Sequence, residues 1–224
     1  MLSKELTATI NRMSQIHAVL FDFGKVLSLA PDPRVWEKMR AVSRLSEEEL
    51  QDGYWKYRDD YDAGILTGDE YWRLIAGASI SNDVLRELKA ADVALWTQMN
   101  QPMLQWVTAL HQHDFRTGIL SNMPDAMAEG IVAQFDWIAN FHHTVWSYAL
   151  KMRKPQPEIY AAAADGLKTS PQNILFIDDK PENTEAAEAF GMKAIVYDNH
   201  DRFITEMHSR GFGHLLEPEL IPPV

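Results

Sequence analysis

The sequence predicts an α/β fold: a Rossmann-like parallel sheet flanked by helices, with a helical-bundle cap inserted after the first strand. Three observations lead there. Two short apolar runs, Ala18-Val19-Leu20-Phe21 and Ile174-Leu175-Phe176-Ile177, each end in carboxylate, Asp22 in the first and the pair Asp178-Asp179 in the second. Runs of that length bounded by polar turns suit strands buried on both faces of a parallel sheet, whose carboxyl ends form the usual crevice for ligands. From about residue 96 onward, strand-like and helix-like segments alternate, as expected when helices cover both faces of such a sheet. Between the first run and that alternation lies a stretch with helical patterning and few strand signals.

Residues 17–23 read as the first strand. The helical stretch follows, over 33–95, and carries its own start signals. Ser46 with Glu49 three residues on forms a capping box, Thr67-Gly68-Asp69-Glu70 repeats the pattern, and Ser81 precedes a further helix. These segments predict a small four-helix cap. Beyond it the sequence predicts a helix over 103–111, a strand over 115–120, a helix over 124–135 and a short strand at 143–146. A helix over 157–167, a strand at 174–177, a helix over 183–190 stopped by Gly191, and a strand at 193–197 complete the alternation. The expected organisation is a core of residues 16–32 and 96–210, the cap at 33–95, an N-terminal extension at 1–15 and a Pro-rich C-terminal tail within 211–224.

With 224 residues the chain can bury a real core, and roughly 70% of the unfolded surface is removed at this size. Its 21 basic and 32 acidic residues give a formal charge of -11. That balance argues against a nucleic-acid partner, which needs a basic stripe for phosphate contacts. It leaves room for small phosphorylated substrates, because a metal ion and a few lysines can reverse the field inside a pocket. There is no cysteine, so disulfides, thiolate catalysis and cysteine-based zinc sites are excluded. No signal-peptide pattern and no membrane-spanning stretch is visible, so a cytoplasmic location is the expectation. The sequence leaves monomer and homodimer equally open.

The chemistry sits at the strand ends. Asp22 is placed to attack phosphorus and form an acyl phosphate, provided that a metal shields it from the negative charge of the phosphate. Asp179, with Asp178 beside it, is suited to hold that ion. Magnesium prefers hard oxygen ligands, among them a backbone carbonyl such as that of Gly24. Ser121 and Asn122 end a third strand just before Pro124 begins a helix, a setting suited to phosphate oxygens. Lys154, in Lys151-Met152-Arg153-Lys154-Pro155, can neutralise both phosphate and the attacking carboxylate.

Together these segments resemble the haloacid dehalogenase-like hydrolase superfamily, in the branch with a helical cap. The motifs are Phe21-Asp22-Phe23-Gly24-Lys25-Val26, Leu120-Ser121-Asn122, Lys154-Pro155-Gln156-Pro157-Glu158-Ile159-Tyr160 and Phe176-Ile177-Asp178-Asp179-Lys180-Pro181-Glu182-Asn183, in order over residues 16–200. The resemblance implies a nucleophilic Asp22, a phosphate-contacting Ser121 and a charge-stabilising Lys154. It implies magnesium held by Asp22, Asp179 and the backbone oxygen of Gly24. Asp178 would sit behind the ion or orient Lys154, and Asn183 would order the loop. The common phosphatase pattern has a second aspartate where Gly24 stands, and losing that acid/base corresponds to about 10²–10⁴-fold in rate. Glycine at this position resembles the bacterial glucose 1-phosphate phosphatases, although Lys25 replaces their usual asparagine. Lys25 either adds charge near the cap or points to solvent.

The resulting expectation is a magnesium-dependent hydrolase acting on a small phosphorylated metabolite, with a sugar phosphate as one candidate. A non-catalytic phosphometabolite-binding or protein-interaction module and a metal-independent haloacid dehalogenase are the alternatives. Cap aromatics Trp55, Tyr57, Tyr61, Tyr71 and Trp72 are expected to serve mainly as packing, with one or two touching substrate. The turn Gly64-Ile65-Leu66-Thr67-Gly68 is a candidate for cap movement. The charged segment 52–62 reads as a solvated helix face, and the histidines as structural or exposed.

Overall fold

Ala18–Phe21 forms the central strand, β1, and every one of its residues is buried. The computed structural model describes residues 16–113 and 115–216; the expected 1–15 extension and most of the Pro-rich tail lie outside them. Beside β1 stand β2 (Arg116–Ser121), β3 (His143–Trp146), β4 (Ile174–Asp178) and β5 (Lys193–Val196), all parallel in the order β3-β2-β1-β4-β5. From β1 the chain builds outward on one side and then crosses to the other, so the β1/β4 boundary is the point where the strand order reverses. Phe21 pairs with Ile177, and the Asp22 N–H donates to the Ile177 carbonyl at 2.8 Å. That register brings Asp22 level with Asp178.

Alternate residues of each strand enter different cores, as the two-residue period requires. Val19, Phe21, Ile119, Leu175 and Ile177 pack with Met103, Trp106, Val107, Phe203 and Met207. These belong to α6 (Gln101–Gln112), on the far side of the cap in sequence, and α11 (His200–Ser209). Ala18, Leu20, Leu120, Ile174 and Phe176 face Ile159, Tyr160, Ala163 and Ala187, from α9 (Pro157–Gly166) and α10 (Pro181–Phe190). Burial on both faces explains why these strands read as unbroken apolar runs. β1 ends earlier than the sequence suggests. After Asp22 the chain enters an irregular helical turn, Phe23–Leu27, in which Gly24 is extended and Lys25 is left-handed at φ 59°.

The inserted segment holds α1 (Pro33–Ser43), α2 (Glu47–Lys56), α3 (Arg58–Asp62), α4 (Gly68–Ala76) and α5 (Asn82–Ala94). Four helices were expected; the fifth arises because Tyr57, at φ -105° and ψ 3°, separates short α3 from α2. Both capping boxes form, Ser46 with Glu49 and Thr67 with Glu70, and Ser81 accepts from the Val84 N–H. Tyr61, Tyr71 and Trp72 are fully buried in this bundle, while Trp55 is 54% exposed. The expectation of a solvated face over 52–62 is corrected here. Asp52, Lys56, Asp59 and Asp60 are exposed, but Tyr54, Arg58, Tyr61 and Asp62 are buried. Arg58 links Tyr54 to Asp62 by hydrogen bonds, the pairing that a buried charge requires, whereas the buried Tyr61 hydroxyl has no partner among the described residues. Gly64, at φ 66°, packs its turn directly against the Tyr148 backbone of α8 (Ser147–Leu150), where a Cβ would collide. Among the described residues no helix is long and apolar enough to cross a membrane.

Candidate active site

A cavity of about 360 Å³ opens at the carboxyl end of the sheet, beneath the inserted helices. Its floor comes from Asp22, Gly24, Ser121, Asn122, Lys154, Asp179 and Asn183, and its opposite wall from Trp55, Arg58, Asp59, Asp62 and Trp96. Residues distant in sequence meet here because the floor is built from strand ends and the segments that follow them, while Trp55, Arg58, Asp59 and Asp62 come from α2 and α3 of the inserted helices.

Lys154 is the hub of the floor. Only 1% exposed, its ammonium donates to Asp178 Oδ2 at 2.6 Å and to the Leu120 carbonyl at 2.9 Å, and lies 2.9 Å from Asp22 Oδ1. Burial opposes its charge, but Asp178 and Asp22 outweigh that and hold the ammonium above its ordinary pKa. Asp22 Oδ1 also accepts the Phe23 N–H at 2.7 Å, which leaves Oδ2 without a partner among the described residues. Burial pushes the Asp22 carboxyl up to about 6; Lys154 opposes the shift, while Asp178 and Asp179 add to it.

Asp178 is fully committed. Oδ2 takes Lys154, and Oδ1 takes the Lys180 N–H and the Asn183 amide, both at 2.9 Å. Asp178 thus ties Asn183 and the Lys180 backbone to the Lys154 ammonium. Asn122 departs from its expected role at phosphate. Its side chain clamps the Lys154 backbone, Oδ1 to N–H at 2.8 Å and Nδ2 to C=O at 3.0 Å. Ser121 is buried and lines the cavity, and its hydroxyl has no protein partner among the described residues.

One carboxylate oxygen each from Asp22, Asp178 and Asp179 lie within 4.8 Å of one another. With Asp178 occupied, Asp22 and Asp179 are the carboxylates free to ligate a cation, and Gly24 lines the same cavity. An all-oxygen donor set of this kind fits magnesium. Lys25 turns inward, its ammonium 3.0 Å from Asp179 Oδ2, with its side chain half exposed. A positive charge thus stands on the carboxylate that the sequence assigns to the metal. At Gly24 a Cβ would lie 3.2 Å from the Trp96 ring, so the indole stands close against this position, two residues beyond Asp22.

The sequence reasoning missed the opposite wall. Arg58 Nε donates to Asp62 Oδ1 at 2.7 Å, Arg58 Nη1 bonds the Tyr54 hydroxyl, and Nη2 lies 3.1 Å from Met127 Sδ of α7 (Asp125–Gln134). Tyr54 in turn donates to Asp92 Oδ1 at 2.8 Å. Tyr54, Arg58 and Asp62 recur every fourth residue, a one-sided polar stripe that was available as a signal. The histidines take no part. His111 and His142 instead flank Thr117 of β2, at 2.5 Å from its hydroxyl and 3.1 Å from its N–H.

Comparison with known proteins places the chain in a family. Residues 16–191 match the family model of haloacid dehalogenase-like hydrolases. The chain is 30% identical to bifunctional epoxide hydrolase 2 of Sus scrofa over 93% of its own length, but spans only 41% of that relative. It is 26% identical to flavin mononucleotide hydrolase 1 of Arabidopsis thaliana, over 69% of this chain and 62% of the relative. A HAD family enzyme of Bacteroides thetaiotaomicron shares the fold with a TM-score of 0.72 at 21% identity, covering 86% of this chain and 98% of that one.

Proposed function

This chain belongs to the haloacid dehalogenase-like hydrolase family, and from that premise we propose that it is a magnesium-dependent phosphatase of a small phosphorylated metabolite. The observation that carries the reading is the state of Asp22. One oxygen is fixed by Lys154 and the Phe23 N–H, and the other is free and faces a cavity lined by an unpartnered serine hydroxyl. A carboxylate so oriented attacks phosphorus in line, forming phospho-Asp22, which water then hydrolyses.

Lys154 and Ser121 would hold the phosphoryl oxygens as charge builds on them, and Asp178 keeps Lys154 aimed. Asp22, Asp179 and the Gly24 carbonyl would hold magnesium, which supplies charge neutralisation for the attack of an anion on an anion. Another structure of the Bacteroides enzyme is a complex with magnesium and inorganic phosphate, which supports this reading. Trp55 and Trp96 line the cavity beside polar groups, and a sugar phosphate suits both that lining and the volume.

The test is phosphate release from a panel of sugar, nucleotide and aryl phosphates, with magnesium and with chelator. Turnover that requires magnesium and falls to background in Asp22→Asn is expected. A folded wild type that binds magnesium yet releases no phosphate from any ester sinks the reading.

A further inference from the structure

The departure of an alkoxide from phosphorus needs a proton, and the floor of the cavity has none well placed to give. Lys154 has all three donors engaged. Position 24 carries no side chain, and the Trp96 ring stands against the place where one would go. Arg58 does not deprotonate, and Asp59 is exposed at the rim, paired with Arg153 at 2.7 Å. Asp62 remains.

We propose that Asp62, on the inserted helices, is the general acid that protonates the departing oxygen and the general base that then activates water. This inference rests on the phosphatase reading above. In the first step Asp22 Oδ2 forms a bond to phosphorus while the bond from phosphorus to the leaving oxygen breaks. The bonding pair goes to that oxygen, which takes the Asp62 proton and departs as an alcohol. In the second step the Asp62 carboxylate takes a proton from water as the water oxygen bonds to phosphorus. The bond from phosphorus to Asp22 breaks, its pair returns to the Asp22 carboxylate, and Asp62 is again a carboxylic acid.

The placement of Asp62 supports this. Its backbone carbonyl accepts the Ser147 hydroxyl, whose oxygen also receives the Met123 N–H at 2.8 Å, two residues beyond Ser121. Its carboxyl is gripped on one side by Arg58 Nε, which is itself held by Tyr54 and Met127. The other oxygen has no partner among the described residues, and the side chain keeps 13% exposure on the cavity. A carboxyl held on one edge and open on the other suits directional proton transfer. Burial pushes it up to about 6; Arg58 opposes the shift, Asp92 from α5 adds to it, and Lys180 from the loop after β4 opposes it. Tyr54 of α2 reaches Asp62 only through Arg58, whose Nη1 hydrogen bond it accepts, and Asp59 of α3 lines the same cavity.

The test pairs Asp62→Asn and Asp62→Glu with wild type on p-nitrophenyl phosphate and on an alkyl phosphate. Its readout is kcat/KM on each. Nitrophenolate leaves unaided, so Asp62→Asn should lose about 10²–10⁴-fold on the alkyl ester, at least about tenfold more than on the aryl ester, with partial recovery in Asp62→Glu. In wild type the alkyl rate should fall above about pH 6, a decline that Asp62→Asn abolishes. Equal losses on both esters, or none, overturn the assignment to Asp62 while the phosphatase reading stands. Should Asp62→Asn not fold, wild type decides alone across a leaving-group series. A shallow dependence on leaving-group basicity supports a proton donor, and a steep one overturns it. A wild type silent on every ester overturns the phosphatase reading and this inference together.

Discussion

The cavity has two walls, and each is built around one buried cation between two carboxylates. On the sheet side Lys154 stands between Asp22 and Asp178; on the helical side Arg58 stands between Asp62 and Asp92. The sheet-side cluster is closed. Asp178 is bonded through both oxygens, and among the described residues Asp22 Oδ2 is the oxygen left without a partner. The helical cluster is looser. Asp92 Oδ2 is buried without a hydrogen bond, Arg58 Nη1 reaches only 3.7 Å from Asp92, and Asp62 is open on one side. Unpaired buried acceptors lower stability, and a buried ion pair is weak ground for explaining stability in the first place. The first cluster fixes one oxygen of Asp22, as the proposed nucleophilic role requires. The second is an unfavourable arrangement for folding alone, and a proton-carrying role gives it a reason to exist.

Removing each cation probes that difference most strongly. Lys154→Met leaves Asp178 charged and wholly buried, and should lower unfolding free energy by about 3–5 kcal/mol as well as abolish turnover. Arg58→Met should lower it by less, about 1–3 kcal/mol, because Asp62 can take up a proton or face the cavity. Urea midpoints of the two variants check the order; an Arg58→Met protein as destabilised as Lys154→Met would erase the distinction between the walls.

A smaller effect is expected from pH. Asp22 and Asp62 are both raised to about 6 in the folded protein, against about 3.9 when unfolded. Between those values the folded state binds more protons, so the contribution of these groups to stability is full below about pH 4 and is lost as pH rises through 6. Asp22→Asn and Asp62→Asn should therefore gain on wild type by about 1–2 kcal/mol more at about pH 7.5 than at about pH 5, in chelator. Magnesium should shrink the gain for Asp22→Asn and leave that for Asp62→Asn in place. Denaturant curves at the two pH values measure both; a gain independent of pH contradicts the raised values.

The same contrast explains what the sequence reveals. The parallel sheet, its two-faced burial and the residues Asp22, Ser121, Asp178 and Asp179 are legible because a buried strand reads as an apolar run and these groups stand at its end. Lys154, beyond α8, and Asn183, within α10, are legible through the family resemblance. The family resemblance rests on those same segments. The helical wall is hidden for a physical reason. Arg58 and Asp62 satisfy each other in the interior, and a charge buried by pairing looks in sequence like a charge in water. The contacts of Lys25 and Asn122 are hidden in sequence for a related cause. Their partners, Asp179 and the Lys154 backbone, are 154 and 32 residues away, beyond any local pattern.

The account stands or falls on Asp22 as nucleophile. Rapid acid quench of wild type during turnover of an aryl phosphate, followed by peptide mass analysis, tests it directly. The account predicts one phosphoryl group on the peptide that contains Asp22, labile to hydroxylamine and absent from Asp22→Asn. Steady release of phosphate with no phosphoryl group trapped on Asp22, or turnover preserved in Asp22→Asn, would contradict it.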